Sequence, residues 1–255
     1  MSSLKNKVII STRPLSENDA MSEYLKTKSA VILEFPMLEI IPAEINDKIQ
    51  KSINNISNFN WLIFTSKNGV IYFFNFLEKI KGNKIIPDVI KTAVIGNKTA
   101  EELEKNGIKP FFISSGNTSE TFLNELLEKH IKTNDNILLV LGKLAGNTIE
   151  EGLNKIADIT RIDVYRTIET KIYSKKIIGK IKSDNYDIII FTSPSGFNNF
   201  IRIMKENNCV KNFKIACIGK TTEKEILKHG YKPLIVPSKP DGLSLALEIE
   251  KYFKL

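Results

Sequence analysis

Short apolar runs, rich in β-branched residues, alternate along this chain with longer segments whose apolar residues recur at helical spacing. The apolar runs predict ten β-strands, namely Val8–Ser11, Val31–Glu34, Trp61–Thr65, Thr92–Ile95, Phe111–Ile113, Ile137–Leu141, Ile159–Val164, Ile188–Thr192, Ile215–Ile218 and Leu234–Val236. The segments between them predict helices, among them Glu17–Lys28, Asn68–Ile80, Lys98–Asn106, Ser119–Lys129, Gly196–Glu206 and Thr222–His229. Apolar strands that are each followed by a helix are typical of parallel sheets covered on both faces. Because the strands are too many for one ordinary sheet, the pattern favours two smaller α/β domains.

The chain also contains an internal repeat, in which three short blocks recur in the same order between 123 and 127 residues later. The matched blocks are Phe64–Val70 with Phe191–Phe197, Ala93–Thr99 with Ala216–Thr222, and Gly107–Pro110 with Gly230–Pro233. Conserved order across three blocks favours duplication of an α/β unit over chance similarity between such units.

The first two repeated blocks fall where a predicted strand ends and a helix begins. Ligands of parallel sheets bind at this edge, and the free N–H groups of a helix start suit carboxylate or phosphate. Hydroxyl groups and glycines that leave room for a ligand occur there at Thr65, Ser66, Ser193, Ser195, Gly96 and Gly219. The repeat therefore predicts anion binding at two sheet edges.

A second interpretation of the same positions is structural. Thr99–Glu102 (TAEE) and Thr222–Glu225 (TEKE) fit the capping-box pattern, which predicts that each threonine caps a helix without binding a ligand. The sequence has no Walker loop and no Gly-x-Gly-x-x-Gly motif after a strand, which argues against tight binding of ATP or a dinucleotide.

The charge of the chain points to an acidic partner. With 37 Lys and Arg against 29 Asp and Glu, the formal net charge is +8. A small polyanionic substrate would account for this charge, since a positive field accelerates its binding. A nucleic-acid partner or simply a solvated lysine surface would also account for the charge. Because the lysines are dispersed and no recognition motif occurs, we expect no nucleic-acid partner.

The few cysteines and histidines exclude several chemistries. Cys209 and Cys217 lack metal-ligand spacing and are expected to be free thiols in a reducing compartment. His130 and His229 have no Cys, His or acidic cluster nearby, which leaves a zinc site or a Ser-His-Asp triad without support. The start of the chain has no apolar leader and no apolar run is long enough for a bilayer, so we expect a cytoplasmic protein without membrane contact.

Four motifs carry a family resemblance, and they occur in a fixed order. They are Val164–Thr167 (VYRT), Phe191–Gly196 (FTSPSG), Ile218–Thr222 (IGKTT) and Gly230–Pro233 (GYKP). Together with the opening Ser11–Pro14 (STRP) and the tail Ser238–Leu243 (SKPDGL), they resemble the uroporphyrinogen-III synthases over nearly the whole chain.

The resemblance implies an α/β fold with two domains, each a parallel β-sheet flanked by helices, joined by two extended connector strands. Residues 1–35 plus 168–255 are expected to form a discontinuous first domain, and residues 37–165 an inserted second domain. The connectors are expected near Pro36 and in residues 163–167.

The resemblance also implies a reaction. The family cyclises hydroxymethylbilane, a linear tetrapyrrole rich in carboxylates, to uroporphyrinogen III with loss of water and inversion of the terminal ring through a spiro intermediate. No cofactor and no metal are implied, and a monomer is expected. The hydroxymethylbilane synthase that makes the substrate is a candidate for a transient contact. The alternative is a non-catalytic two-domain module that binds an acidic small molecule.

Among the implied site residues, Tyr165 is the candidate catalytic group, since its phenol can donate a proton to the departing hydroxyl. A half-buried structural tyrosine is the alternative role. The candidate substrate-binding residues are Arg13, Thr65, Ser66, Gly96, Thr99, Ser193, Pro194, Ser195, Gly196, Gly219, Thr221 and Thr222. One departure from the family is Lys143, which lies nearest to a position where many members have arginine.

Overall fold

The computed structural model describes residues 3–13, 20–116 and 118–254. The chain forms two compact units: Met1–Glu39 with Ile168–Leu255, which we call the terminal unit, and Ile40–Thr167, which we call the inserted unit. The terminal unit is therefore discontinuous in sequence.

Within the described residues the chain forms ten strands and ten α-helices, with a short 3-10 helix at Ile56–Asn58. The strands are β1 (Val8–Ser11), β2 (Val31–Glu34), β3 (Leu38–Pro42), β4 (Trp61–Phe64), β5 (Lys91–Val94), β6 (Phe112–Ile113), β7 (Asn136–Gly142), β8 (Asp158–Glu169), β9 (Ile188–Phe191) and β10 (Ile215–Cys217). The helices are α1 (Ala20–Thr27), α2 (Asp47–Asn54), α3 (Lys67–Lys81), α4 (Asn97–Lys105), α5 (Ser119–Lys129), α6 (Thr148–Leu153), α7 (Lys175–Lys182), α8 (Pro194–Glu206), α9 (Lys220–Lys228) and α10 (Gly242–Tyr252). None of the helices in the described ranges is long and apolar enough to cross a bilayer.

Each unit is built on one sheet. The terminal unit has the strand order β10-β9-β1-β2, with parallel pairing throughout. The larger sheet has the order β3-β8-β7-β4-β5-β6, and its pairs from β8 to β6 are parallel. The chain leaves the terminal unit within β3 and returns to it within β8.

Alternate residues of each central strand feed two separate apolar cores. In β9, Ile189 and Phe191 pack with one buried cluster, whereas Ile188 and Ile190 pack with another. The central strand β4 divides in the same way, with Leu62 and Phe64 in one cluster and Trp61 and Ile63 in a second. Because successive side chains of a strand point to opposite faces, this division shows that helices cover both faces of each sheet.

The expected α/β class with parallel sheets flanked by helices is confirmed, although individual elements differ from the prediction. The strand β3 and the helices α2, α6 and α7 were missed, since each is short and lacks a long apolar pattern. The predicted strand Leu234–Val236 is wrong, because this segment contributes only one isolated bridge, from Ile235 to Ala216. The predicted helix Glu17–Lys28 begins at Ala20 among the described residues, and positions 17–19 lie outside them.

A buried carboxylate ties the C-terminal helix to α1. Glu250 on α10 accepts a hydrogen bond from the Tyr24 hydroxyl and lies 3.1 Å from Lys254 and 3.2 Å from Lys28. The hydrogen bonds from Tyr24 and then Lys254 lower the pKa of Glu250 from the usual 4.5 to about 2. The charged form of Glu250 is thus the one that holds α10 against α1.

Candidate functional site

The carboxyl ends of the parallel strands in the inserted unit meet at one edge of the sheet. Ser66 follows β4 and Gly96 follows β5, while Lys143 follows β7. Strand β8 continues past this edge, and Tyr165 pairs there with Gly142 at a register shift between Leu141 and Gly142. The edge therefore brings together residues from four strands.

Ser66 begins helix α3. It has extended backbone (φ −154°, ψ 150°), and its hydroxyl accepts a hydrogen bond from the Gly69 N–H at 3.0 Å. This geometry is that of an N-cap, so Ser66 satisfies one of the unpaired N–H groups at the helix start. The preceding Thr65 is half-buried, and its hydroxyl makes no hydrogen bond to any residue in the described ranges.

The Tyr165 ring is held on several sides. Its hydroxyl oxygen lies 3.1 Å from the Ser66 hydroxyl oxygen, and its ring stacks on Tyr72, with centroids 6.0 Å apart. The ring tip also lies against Gly142: a Cβ on that glycine would stand 2.3 Å from the Tyr165 Cζ. The Tyr165 carbonyl accepts a hydrogen bond from the Lys143 N–H at 2.9 Å. A rigid, half-buried phenol therefore lies beside the start of α3.

The predicted capping role of Thr99 and Thr222 is wrong. The N-cap residues are Gly96 for α4 and Gly219 for α9, so each threonine occupies the third helical position instead. Gly96 has φ 76° and ψ 155°, a conformation that residues with a side chain rarely adopt. The two threonines are 4 % and 2 % exposed, and neither hydroxyl has a hydrogen-bond partner within the described part of the chain. Helix capping therefore does not account for the hydroxyl groups of Thr99 and Thr222.

The terminal unit repeats the arrangement of α3 at the start of α8. The Ser193 hydroxyl caps this helix by accepting from the Gly196 N–H at 3.1 Å, with φ −156° and ψ 152°. Pro194 occupies the first turn, where its missing N–H costs nothing. The exposed Ser195 hydroxyl lies 3.4 Å from that of Ser193. These four predicted residues form one helix start.

Arg13 and Thr221 lie at the same edge of the terminal sheet as that helix start. Arg13 follows β1 and is half-buried, and its carbonyl accepts a hydrogen bond from the Ser11 hydroxyl at 2.9 Å. Thr221 occupies the second position of α9 and is exposed. Each unit therefore presents its own set of predicted residues along the carboxyl ends of its parallel strands.

A half-buried arginine fixes the loop that follows β7. The Arg161 guanidinium donates to Asp163 at 2.9 Å, Glu150 at 3.1 Å and the Ala145 carbonyl at 3.2 Å. This loop carries Lys143, which is exposed and whose ammonium has no partner among the residues that the structure describes. The loop is thus held by Arg161 and carries an exposed cation.

Two residues that position Tyr165 were missed by sequence reasoning. The signal for Gly142 was a glycine directly after a strand, the usual mark of a close approach, but its partner is 23 residues away in sequence. Tyr72 gave no signal, because a tyrosine on the apolar face of a helix is usually a core residue. Both contacts depend on how β7, β8 and α3 pack together.

The described residues contain no group of three or more His, Cys, Asp or Glu that could hold a metal ion. Cys209 and Cys217 are buried free thiols, in agreement with their spacing. Burial raises the pKa of Cys217 to about 11, so this thiol is unsuited to nucleophilic chemistry at neutral pH.

Comparison with known proteins places the chain in a family. A family model described as uroporphyrinogen-III synthase HemD matches residues 19–246. A Methanocaldococcus jannaschii protein named as a uroporphyrinogen-III synthase is 32 % identical over 240 residues, which cover 90 % of this chain and 92 % of the relative. A porphyrin biosynthesis protein HemD of Ruminiclostridium josui is 27 % identical over 233 residues, which are 89 % of this chain but only 45 % of that protein.

The fold agrees with a solved structure as well. The crystal structure of a uroporphyrinogen-III synthetase from Helicobacter pylori superimposes with a TM-score of 0.59 at 21 % identity, covering 96 % of this chain and 99 % of that one. Because the family model spans most of the chain and a relative above 30 % identity spans nine-tenths of it, this chain belongs to the uroporphyrinogen-III synthase family.

Proposed function

We propose that this protein cyclises hydroxymethylbilane to uroporphyrinogen III, with loss of water and inversion of the terminal pyrrole ring. The observation that carries the proposal is the phenol of Tyr165, held within hydrogen-bond distance of Ser66 at the carboxyl edge of the inserted unit's sheet. A phenolic O–H is a proton donor, so Tyr165 can act as the acid that the loss of a hydroxyl group requires.

The proposed reaction is balanced by proton transfer alone. The C–O bond of the hydroxymethyl group breaks and its electron pair leaves with the oxygen, which takes the phenolic proton of Tyr165 and departs as water. The substituted carbon of the terminal pyrrole then attacks the electrophilic methylene carbon to give the spiro intermediate. The bond from this substituted carbon to the methylene bridge of the neighbouring pyrrole then breaks, and the freed methylene carbon bonds to the other α-carbon of the terminal pyrrole, which closes the macrocycle with that ring inverted. The α-carbon loses its proton as the pyrrole regains aromaticity, and this proton returns to the phenolate. No metal or redox cofactor enters this sequence.

The helix starts at the carboxyl ends of the strands offer unpaired N–H groups to the substrate's carboxylates. Thr99 and Thr222 support this assignment, because both residues are buried while their hydroxyls cap no helix and have no partner in the described ranges. Lys143, which is exposed and whose ammonium has no partner in the described ranges, supplies a positive charge in the loop that follows β7. Positioning a flexible chain for closure is worth several powers of ten in rate, so these contacts would carry much of the catalysis. We predict that the protein is a monomer and acts in the cytoplasm.

The experiment is a coupled assay with freshly made hydroxymethylbilane, followed by oxidation and chromatographic separation of the type I and type III isomers. Hydroxymethylbilane closes spontaneously to type I, so the isomer ratio is an internal control. Type III product that requires this protein supports the proposal. Type I alone, with the protein folded, refutes it and favours a module that only binds acidic molecules.

The role of Tyr165 is tested by Tyr165→Phe, which should lower the rate about ten- to hundredfold without abolishing it, because positioning is retained. Tyr173→Phe is the matched control, since it also removes a half-buried, hydrogen-bonded phenol: the Tyr173 hydroxyl accepts from Asn207 at 3.2 Å. An equal loss in both variants would contradict a chemical role for Tyr165.

A further inference from the structure

Ser66 makes two contacts with a single hydroxyl group. Its oxygen accepts from the Gly69 N–H at 3.0 Å and lies 3.1 Å from the Tyr165 hydroxyl oxygen. A serine hydroxyl has one proton and two lone pairs, and the Gly69 N–H engages one of these lone pairs. The Ser66 proton is therefore available to the phenol oxygen, unless the phenol itself donates to Ser66.

The direction of this hydrogen bond decides whether the phenol can act as an acid. If Tyr165 donates to Ser66, its proton is engaged inside the protein. If Ser66 donates to Tyr165, the phenolic proton is free to point outward, towards a bound substrate. The second arrangement forms a continuous chain from the Gly69 N–H through Ser66 to the phenol, in which each hydrogen bond polarises the next.

We propose that Ser66 is a positioning residue that donates its proton to the Tyr165 oxygen and so directs the phenolic proton at the departing hydroxyl. The inference rests on the proposed function. When the phenol gives up its proton to the leaving oxygen, the negative charge that remains accepts the Ser66 hydrogen bond close to the positive end of α3. The proton returns to that oxygen on ring closure, so Ser66 itself is unchanged over the cycle.

The contact with tyrosine is not a necessary consequence of capping. Ser193, the counterpart of Ser66 in the repeat, caps α8 with nearly the same backbone angles, −156° and 152° against −154° and 150°. Its second neighbour is the Ser195 hydroxyl at 3.4 Å, and no phenol in the described ranges is hydrogen-bonded to it. The two halves of the repeat thus share the cap, and among the described residues the cap of α3 is the one that is paired with a tyrosine.

The test removes the hydroxyl at position 66 in the full chain. Ser66→Ala and Ser66→Gly should each lower kcat about tenfold, the usual effect of one hydrogen bond, while KM stays within about twofold. Ser66→Thr, which restores a hydroxyl that can cap, should recover most of the rate. Ser174→Ala removes the equivalent cap of α7, where the Ser174 hydroxyl accepts from Ile177, and should leave kcat unchanged.

A double variant decides whether Ser66 acts through Tyr165. In the Tyr165→Phe background, Ser66→Ala should cause no further loss of kcat. A further tenfold loss there, or a raised KM with unchanged kcat in Ser66→Ala alone, would overturn the inference and make Ser66 a direct substrate contact. Ser66→Gly guards against misfolding, because glycine at an N-cap costs only a few tenths of a kcal/mol. Failure of the wild-type protein to form the type III isomer would instead refute the proposed function.

Discussion

Replacing Gly142 by alanine tests whether the exact place of the Tyr165 phenol controls the reaction. Gly142 lies opposite Tyr165 in the pairing of β7 with β8, and no side chain separates its Cα from the phenol ring. The substitution adds one methyl group and removes no hydrogen-bonding group. Any effect on activity therefore comes through displacement.

The displacement follows from the distances. A Cβ at Gly142 would lie 2.3 Å from the Cζ and 2.7 Å from the hydroxyl oxygen of Tyr165. Non-bonded carbon atoms approach to about 3.5 Å, so the ring tip must move by about 1.2 Å or the strand must shift. Such a movement breaks or bends the contact with Ser66, which is 3.1 Å long. A misplacement of about 1 Å costs up to roughly hundredfold in rate, so we expect type III formation to fall about as far as in Tyr165→Phe, by about ten- to hundredfold.

The assay measures the rate of type III isomer formation at saturating hydroxymethylbilane, together with urea unfolding. Overpacking of this kind costs about 1–3 kcal/mol, so Gly142→Ala should stay folded but unfold at a lower urea concentration. Gly146→Ala is the matched control, because it lies in the same loop and a Cβ there meets nothing within 4 Å. It should change neither quantity.

Two outcomes would refute the reasoning. The first is a folded Gly142→Ala variant with the wild-type rate, which would mean that the phenol need not stay where the structure places it. The second is found in the Tyr165→Phe background. There Gly142→Ala should cost little more activity, and a loss as large as the one in the wild-type background would show that the glycine acts on something other than the phenol.

Three further predictions concern stability, each measured as a shift of the urea midpoint. Gly96→Ala should destabilise the fold by about 1–3 kcal/mol, because Gly96 has a φ of 76° that alanine rarely adopts. Gly179→Ala should not destabilise the fold, because a Cβ there meets nothing within 4 Å. Equal urea midpoints for the two variants would contradict this prediction. Arg161→Met should cost about 2 kcal/mol, since its acidic partners and a loop carbonyl lose their donor, and an unshifted midpoint would refute the bridging role. Glu250→Gln should remove a contribution to stability that depends on pH. Because the pKa of Glu250 is lowered from 4.5 to about 2 in the folded protein, its charged form stabilises the wild type above pH 4.5, and this stabilisation is lost as the pH falls towards 2. The urea midpoints of wild type and variant should therefore differ above pH 4.5 and converge near pH 2.

The fold class was predictable because the sequence pattern is dictated by local physics. Strands covered on both faces must be apolar at every position, and β4 (Trp61–Phe64) and β9 (Ile188–Phe191) are, so periodicity and the helices after them indicated parallel sheets. The repeat likewise predicted matched strand-to-helix turns, and Ser66 and Ser193 do adopt the same capped geometry.

Local patterns failed where two explanations compete for the same residues. Thr99 and Thr222 fit the capping box, yet the helices begin three residues earlier at Gly96 and Gly219. At Gly96, a φ of 76° turns the chain out of the strand sooner than the side-chain pattern suggests. Short elements such as β3 (Leu38–Pro42) were missed because they owe their structure to pairing with a distant strand rather than to their own sequence.

The sequence by itself determined most of the strands, the longer helices after them and the residues that stand at the sheet edges. Only the tertiary structure decided that Ser66, Gly142 and Tyr165 meet, because their contact depends on the strand order β4-β7-β8 and on a register shift at Gly142. Register is set by how the side chains of neighbouring strands pack, and a shift of one residue turns a side chain to the opposite face. The surroundings of the phenol are therefore a property of the packed sheet.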